Sequence, residues 1–197
     1  MMWNIEDEFK AAGYTAICGV DEAGRGPLAG AVFAAAVILP YGIDIPHLTD
    51  SKKVSEKRRD ELFDIIADNA LSFFVASADV DEIETLNILG ATHLAMNRAV
   101  EGLDPPSDIA LVDGNQISAL KFNCKAVVGG DGKSANIAAA SILAKVSRDR
   151  YMLKMAEKFP QYEFHRHKGY GTKLHYEKLR DFGVSEIHRA SFLKKLH

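Results

Sequence analysis

Asp21 and Glu22 stand side by side and run into Ala23-Gly24-Arg25-Gly26-Pro27, so two carboxylates meet a glycine-rich turn that carries one forked cation. The preceding Tyr14 to Cys18 has the apolar, β-branched character of a strand entering a core. Acids delivered to the end of such a strand repel each other unless a cation sits between them, and a divalent metal ion is the simplest candidate. The turn suits an anion or a sugar. Its glycines let the main chain come close and offer N–H groups, while Arg25 adds a guanidinium. Together these residue types point to metal-assisted chemistry on a phosphate backbone; a solvated acidic pair before an ordinary turn is the plainer alternative.

Two more acids are placed to join them. Ile109-Ala110-Leu111-Val112 is continuously apolar, the pattern of a central strand covered on both faces, and it ends at Asp113-Gly114-Asn115. Ligands of open α/β sheets collect outside the carboxyl ends of strands, so Asp21, Glu22 and Asp113 converge if these two strands are neighbours; Asp-Gly is equally a common turn signal. Adjacent strand residues point to opposite faces, so Asp21 and Glu22 serve one site only if the strand bends or ends there. A helix is expected from Ala135 to about Phe159 with Ser134 as its N-cap, placing Ile137, Ala138, Ser141, Ile142, Lys145 and Asp149 on or beside one face. Asp149 would complete a carboxylate cluster with Lys145 balancing charge, or the two form a surface i,i+4 pair.

The remaining segments must position these residues. Leu28 to Leu39 reads as a second strand pairing back on the first as a hairpin, and Leu71 to Ala78 as a third. In the loop between them, Lys52 and Lys53 of Asp50-Ser51-Lys52-Lys53 either reach a phosphate or are simply solvated. Ser55 opens a helix, Asp79 caps another running to about Glu101, and Cys124 to Val128 is the last strand. His93 and Asn97 are exposed or satisfied within the core, and Gly129 to Ser134 lacks the spacing of a phosphate loop. Phe164 to Thr172 is a basic loop holding Lys168 and an exposed Tyr170 between Gly169 and Gly171, suited to phosphates and to a sugar or base. Without cysteines beside it, its histidines do not suggest zinc. Thr172 caps a short helix through Phe182, and the tail Val184 to His197 keeps helical periodicity.

With 197 residues and 47% hydrophobic content the chain supports one sizeable core and no second full domain. No apolar run approaches a membrane span and the first residues are acidic, unlike a signal peptide, so a cytoplasmic location is expected. Cys18 and Cys124, lacking C-x-x-C spacing, read as small buried residues. The net charge of −3 hides an asymmetry: residues 145–197 hold 13 Lys and Arg against 6 Asp and Glu, whereas residues 1–144 hold 11 against 21. A basic quarter beside an acidic body fits a backbone-binding surface next to a metal site, or a helical tail with solvated faces.

Six motifs in register resemble the bacterial type 2 ribonuclease H family, ribonuclease HII. They are Gly19 to Gly30, Asp50 to Lys53, Val112 to Asn115, Ala138 to Asp149, His167 to Thr172 and His188 to Phe192. The resemblance implies an α/β fold, a ribonuclease H-like mixed sheet flanked by helices, with a catalytic core over 1–160 and a basic helical part over 161–197 packed on the same core. It implies cleavage of the RNA strand of RNA–DNA hybrids and 5′ of single ribonucleotides embedded in duplex DNA, by a monomer. It assigns Asp21, Glu22, Asp113 and Asp149 to two Mg²⁺ or Mn²⁺ ions, Gly24-Arg25-Gly26 to the ribose 2′-hydroxyl, and Tyr170 to the RNA–DNA junction. Lys52, Lys53, Lys145 and Lys168 complete the expected substrate-binding set. Another metal-dependent nuclease of this fold and a binding module without chemistry are the alternatives.

Overall fold

The structure, a computed structural model, describes residues 3–49, 51 and 54–193. Helix α1 (Asn4–Ala11) leads into β1 (Ile17–Ala23) and β2 (Val32–Ile38), followed by α2 (Glu56–Asn69) and β3 (Ser72–Ala78). Helix α3 (Val80–Glu101), strands β4 (Ile109–Asp113) and β5 (Cys124–Val127), and the long helix α4 (Ala135–Lys158) come next, with α5 (Phe164–His167) and α6 (Lys173–Phe182) last. The sheet order is β3-β2-β1-β4-β5. β1 lies antiparallel to β2 and parallel to β4, and β5 extends the parallel side. The mixed sheet is the one that the family resemblance implied.

Side-chain alternation divides the core into two faces. Cys18, Val20, Ala34, Ala36, Ala110 and Val112 pack beneath α3, against Ile83, Ala95, Met96 and Ala99. On the other face, Ala35 and Val37 meet Leu62 and Ile66 of α2 and Ala139, Ala140, Ile142 and Leu143 of α4. α4 approaches β1 closely because Gly19 has no side chain. A Cβ there would lie 2.1 Å from the main-chain carbon of Asn136 and 2.2 Å from the nitrogen of Ile137.

The start of α4 is fixed from three directions. Ser134 caps it as expected, its hydroxyl accepting from Ile137 N–H at 3.2 Å. Glu6 of α1 accepts from the Ser134 hydroxyl at 2.6 Å and from Asn136 N–H at 3.3 Å. Asn136 in turn accepts from Leu39 N–H at 2.8 Å, tying the helix to the end of β2. Nothing local to α1 signals this role, since its acids read only as an acidic N-terminus.

Four expectations are corrected. β2 starts at Val32 rather than Leu28, because the main chain of 28–30 is bonded elsewhere: Leu28 N–H to Gly169 O, Gly30 N–H to Ile187 O, and Arg189 N–H to Leu28 O, each 2.8 Å. For the same reason residues 184–193 form no helix beyond a 3₁₀ turn at Ala190–Phe192, and residues 194–197 lie outside the described part. Ile187 and Leu193 instead join Leu28, Ala29, Met152 and Phe164 in a separate apolar cluster. α3 breaks at Asn87 (φ 58°), whose side chain caps the second segment by accepting from Leu89 and Gly90 N–H at 2.9 and 3.2 Å. Cys18 is buried but Cys124 only half so. Among the described residues no helix is long and apolar enough to cross a membrane.

Gly19→Ala should therefore cost about 2 kcal/mol or more, since the added methyl meets main chain that cannot swing aside. Thermal unfolding beside Gly132→Ala, where a Cβ meets nothing within 4 Å, checks this. Equal melting temperatures for the two variants would mean that α4 does not rest on β1 at Gly19.

Candidate active site

Asp21 and Asp113 come to the same end of two neighbouring parallel strands. The register pairs Gly19 with Leu111 and Val20 with Val112, so the next residues on each strand are these two acids, on one face and about 5 Å apart in strand spacing. Asp21 is buried. Burial raises its pKa well above the usual carboxylate value, and Glu22 and then Asp113 push it further up, while Glu22 N–H and the Ser141 hydroxyl pull it down. Asp113 accepts from Gly130 N–H at 2.6 Å, which fixes it against the turn that follows β5.

β1 ends at Ala23, directly after the acids and where Gly24 turns the chain (φ +103°), and Glu22 is still paired to Ala34. Glu22 therefore points to the α3 side, opposite Asp21. It still joins the acids at the strand ends, because it shares with Asp113 a polar cleft of ≈110 Å³ lined also by Arg25, His93, Asn115 and Gln116. Arg25 forms an ion pair with Glu22 at 3.6 Å.

Asp149 lies buried on α4, and among the described residues no hydrogen bond joins it to the other three acids. Ser141, Lys145 and Asp149 form one row at i, i+4 and i+8 on that helix. Lys145 Nζ donates to Asp149 Oδ1 at 2.7 Å, the i,i+4 pair that either reading of these two residues expects. Ser141 also lies 2.8 Å from the hydroxyl of Ser51, so the loop between β2 and α2 is docked beside Asp21. Its Lys52 and Lys53 lie outside the described residues. Among the described residues no three His, Cys, Asp or Glu side chains already stand arranged to hold a metal ion. The donors nonetheless suit a hard divalent cation, being carboxylate oxygens whose mutual repulsion burdens a buried Asp21.

The glycine turn lies beside these acids. Gly24 has φ +103°, and a Cβ there would strike Arg148 at 2.2 Å, so no other residue fits. At Gly26 the nearest atom to a Cβ would be a ring carbon of Tyr170, 3.9 Å away. Tyr170 is 43% exposed, as expected. The basic loop that carries it is partly helical (α5), and Lys168 donates to His165 O at 2.7 Å and faces Glu56 at 3.5 Å. Arg148 and Arg189, both fully buried beneath the turn, were not singled out from the sequence. Their guanidinium groups bond main-chain carbonyls between residues 24 and 31. Only their place within two of the six motifs hinted at them.

A buried histidine pair supports Tyr170. His175 Nδ1 lies 3.0 Å from Tyr170 O, which can only accept, so that nitrogen carries the hydrogen. His175 Nε2 must then accept from His188 Nε2 at 3.0 Å, leaving His188 Nδ1 to accept from Ser185 N–H at 2.9 Å. Burial pushes both rings down to about 4. His93 is core-satisfied, its Nε2 lying 2.8 Å from Gln116 O, and Asn97 accepts from Lys121 N–H at 2.9 Å.

This architecture is that of the ribonuclease H-type nucleases. A ribonuclease H2 structure from Pyrococcus horikoshii OT3 superposes with a TM-score of 0.76 at 24% identity, over 92% of this chain and 97% of that one. Bst-RNase HIII in complex with Mn²⁺ gives 0.70 at 16% identity, over 89% and 66%. The family model described as Ribonuclease HII matches residues 18–195. A ribonuclease HII of Caldicellulosiruptor bescii is 52% identical over 194 residues, 98% of this chain and 94% of that one. The chain belongs to the ribonuclease HII family and is an enzyme, a hydrolytic nuclease.

Two outcomes follow from the charges. A carboxyl whose folded pKa is raised favours the fold when protonated and loses that contribution as pH rises through the folded value, so at neutral pH Asp21 opposes folding. Asp21→Asn should raise the melting temperature at pH 7 in EDTA; an unchanged or lower value would show that the repulsion is already balanced. The histidines have the opposite sign. Their folded pKa is lowered, so the unfolded chain takes up protons first and stability falls as pH drops from near 6.5 to about 4. His188→Asn should flatten melting temperature against pH across that window, and lines parallel to wild type would place the acid sensitivity elsewhere.

Proposed function

We propose that this nuclease hydrolyses the RNA strand of RNA–DNA hybrids and cuts 5′ of single ribonucleotides embedded in duplex DNA, with Asp21, Glu22, Asp113 and Asp149 as its catalytic carboxylates. The observation that carries the reading is the burial of Asp21 at the end of β1 beside Glu22 and Asp113, a cluster of like charge at the strand ends that a cation would relieve. Family membership and the Mn²⁺ complex of a ribonuclease HIII of the same fold support it. The four acids would hold Mg²⁺ or Mn²⁺. When bound, two such ions supply an activated water and stabilise the leaving 3′ oxygen.

Around them the protein's own groups bind and orient. Lys145, 2.7 Å from Asp149, holds that acid toward the site and brings a cation for a phosphate. Gly24-Arg25-Gly26 reads the 2′-hydroxyl, since a backbone without Cβ atoms lets a sugar approach main-chain N–H groups. Tyr170, exposed and next to Gly26, lies against the neighbouring sugar at the RNA–DNA junction. Lys52, Lys53 and Lys168 meet phosphates. The C-terminal part over 161–197, packed on the core over 1–160, presents Tyr170, and the enzyme acts as a monomer.

The test is a labelled DNA duplex carrying one ribonucleotide, incubated with the protein and Mg²⁺, with the cut mapped to the nucleotide. Cutting should fall 5′ of the ribonucleotide. Asp21→Asn, Glu22→Gln, Asp113→Asn and Asp149→Asn should each lose about 100-fold or more while remaining folded. Near-wild-type turnover by one variant in both Mg²⁺ and Mn²⁺ would remove that residue from the set, and equal cutting of an all-deoxy duplex would overturn the substrate assignment.

A further inference from the structure

Arg189 reaches the glycine turn from the far end of the chain, and among the described residues every hydrogen bond its side chain makes goes to a main-chain carbonyl. It donates to Gly24 O at 2.7 Å, Arg25 O at 3.0 Å, Pro27 O at 2.9 Å and Gly30 O at 2.7 and 2.9 Å. Arg148 of α4 takes Ala29 O at 3.3 Å, Ala31 O at 3.4 Å and Lys168 O at 3.1 Å. Leu28 O accepts from Arg189 N–H. From Gly24 to Ala31, every carbonyl except that of Gly26 is drawn inward onto these two residues. Among the described residues neither Arg25 N–H nor Gly26 N–H has an acceptor.

A peptide unit whose carbonyl is held on one side presents its N–H on the other, because the two are fixed in one plane. The unit between Gly24 and Arg25 is held by Gly24 O, and that between Arg25 and Gly26 by Arg25 O, so the N–H groups of Arg25 and Gly26 are turned away from the core. A guanidinium is well suited to such a grip, because five N–H donors in a rigid fork can serve several acceptors at once, and it never competes as an acceptor. Burial and the neighbouring Arg148 lower its pKa to about 9, which leaves it charged at neutral pH. The ring of Phe192 lies against it, 5.1 Å from its centre.

We infer that Arg189 is a positioning residue for ribose recognition: by gripping the carbonyls of Gly24, Arg25, Pro27 and Gly30 it aims the N–H groups of Arg25 and Gly26 at the substrate's 2′-hydroxyl. The inference rests on the proposed role of Gly24-Arg25-Gly26. It goes beyond that role in placing control of specificity on a buried side chain that touches no substrate. A site that pairs with a hydroxyl loses discrimination when its donors are no longer aimed.

Arg189→Lys keeps the charge but cannot span four carbonyls. Its kcat and KM should be measured on a duplex with one ribonucleotide and on a continuous RNA–DNA hybrid, alongside duplex affinity and melting temperature. The expected result is a kcat on the single ribonucleotide lower by roughly 10- to 100-fold. KM and duplex affinity should stay near wild type, and the loss on the hybrid, where several riboses share the contact, should be clearly smaller. Equal loss on both substrates would make Arg189 a support of the fold alone and overturn the inference. If Arg189→Lys does not fold, Phe192→Leu, which keeps the guanidinium but removes the ring beside it, should give a smaller loss in the same direction; an unchanged ratio of rates would overturn the inference equally. Gly26→Ala, which the fold has room for, tests the underlying role separately. If it leaves the two rates in their wild-type ratio, the turn does not read the ribose and the inference falls with it; if it shifts the ratio and the Arg189 variant does not, only the inference fails.

Discussion

Contact between the main chains of α4 and β1 is the constraint on which the rest of the molecule depends. It exists because Gly19 has no side chain and the facing turn of α4 is built from Ala138, Ala139 and Ala140. A helix held this close presses its next turns onto the strand's acidic end. Ser141 thereby reaches Asp21, Lys145 and Asp149 follow one and two turns later, and Arg148 reaches the carbonyls of 29–31. Moving α4 outward by one methyl would separate all of these groups at once. Glu6, Ser134 and Asn136 hold the first turn of α4, so that its remote end is aimed from its start.

Two kinds of buried charge lie within this frame, and they are stabilised differently. Arg148 and Arg189 are surrounded by carbonyl oxygens, which satisfy a guanidinium without neutralising it. Asp21 has the reverse surroundings: among the described residues the charges that act on it, Glu22 and Asp113, share its sign, and its hydrogen bonds from Glu22 N–H and Ser141 only partly offset burial. The cations complete the fold of the turn, whereas Asp21 leaves an electrostatic need that an incoming cation can meet. Stability for both has to come from the apolar faces under α2, α3 and α4.

What was legible in the sequence was local. The caps Ser134 and Thr172, the apolar run of β4 ending at Asp113, and the row Ser141-Lys145-Asp149 each follow from residues within one or two turns of each other. What was not legible depends on partners far along the chain. Leu28 to Ala31 has the composition of a strand, but its main-chain groups are taken by Gly169, Ile187 and Arg189. Residues 184–193 have helical periodicity, yet their bonds go to that same segment. The kink at Asn87 rests on a side chain capping the residues just after it, a signal that a continuous apolar stripe concealed. Alternation already set Glu22 opposite Asp21, but that it shares a cleft with Asp113 depends on β4 lying beside β1, a pairing between distant segments of the chain.

The basic C-terminal quarter illustrates how far a charge count carries. Of the cations in residues 145–197, Arg148 and Arg189 are buried among carbonyls and offer nothing to a ligand at the surface. Others are already engaged: Arg150 with Asp60, Lys158 with Glu186, and both Arg166 and Lys178 with Glu163. Glu163 is held by its two cations down at about 2, so it stays ionised and keeps them occupied over the whole physiological range. The surplus of positive charge therefore overstates what a phosphate backbone can use, and a weaker salt dependence of binding is to be expected than the count alone implies. Much of that charge shapes the turn and ties the last elements together, so the end of the chain contributes to a site by holding it rather than by covering it.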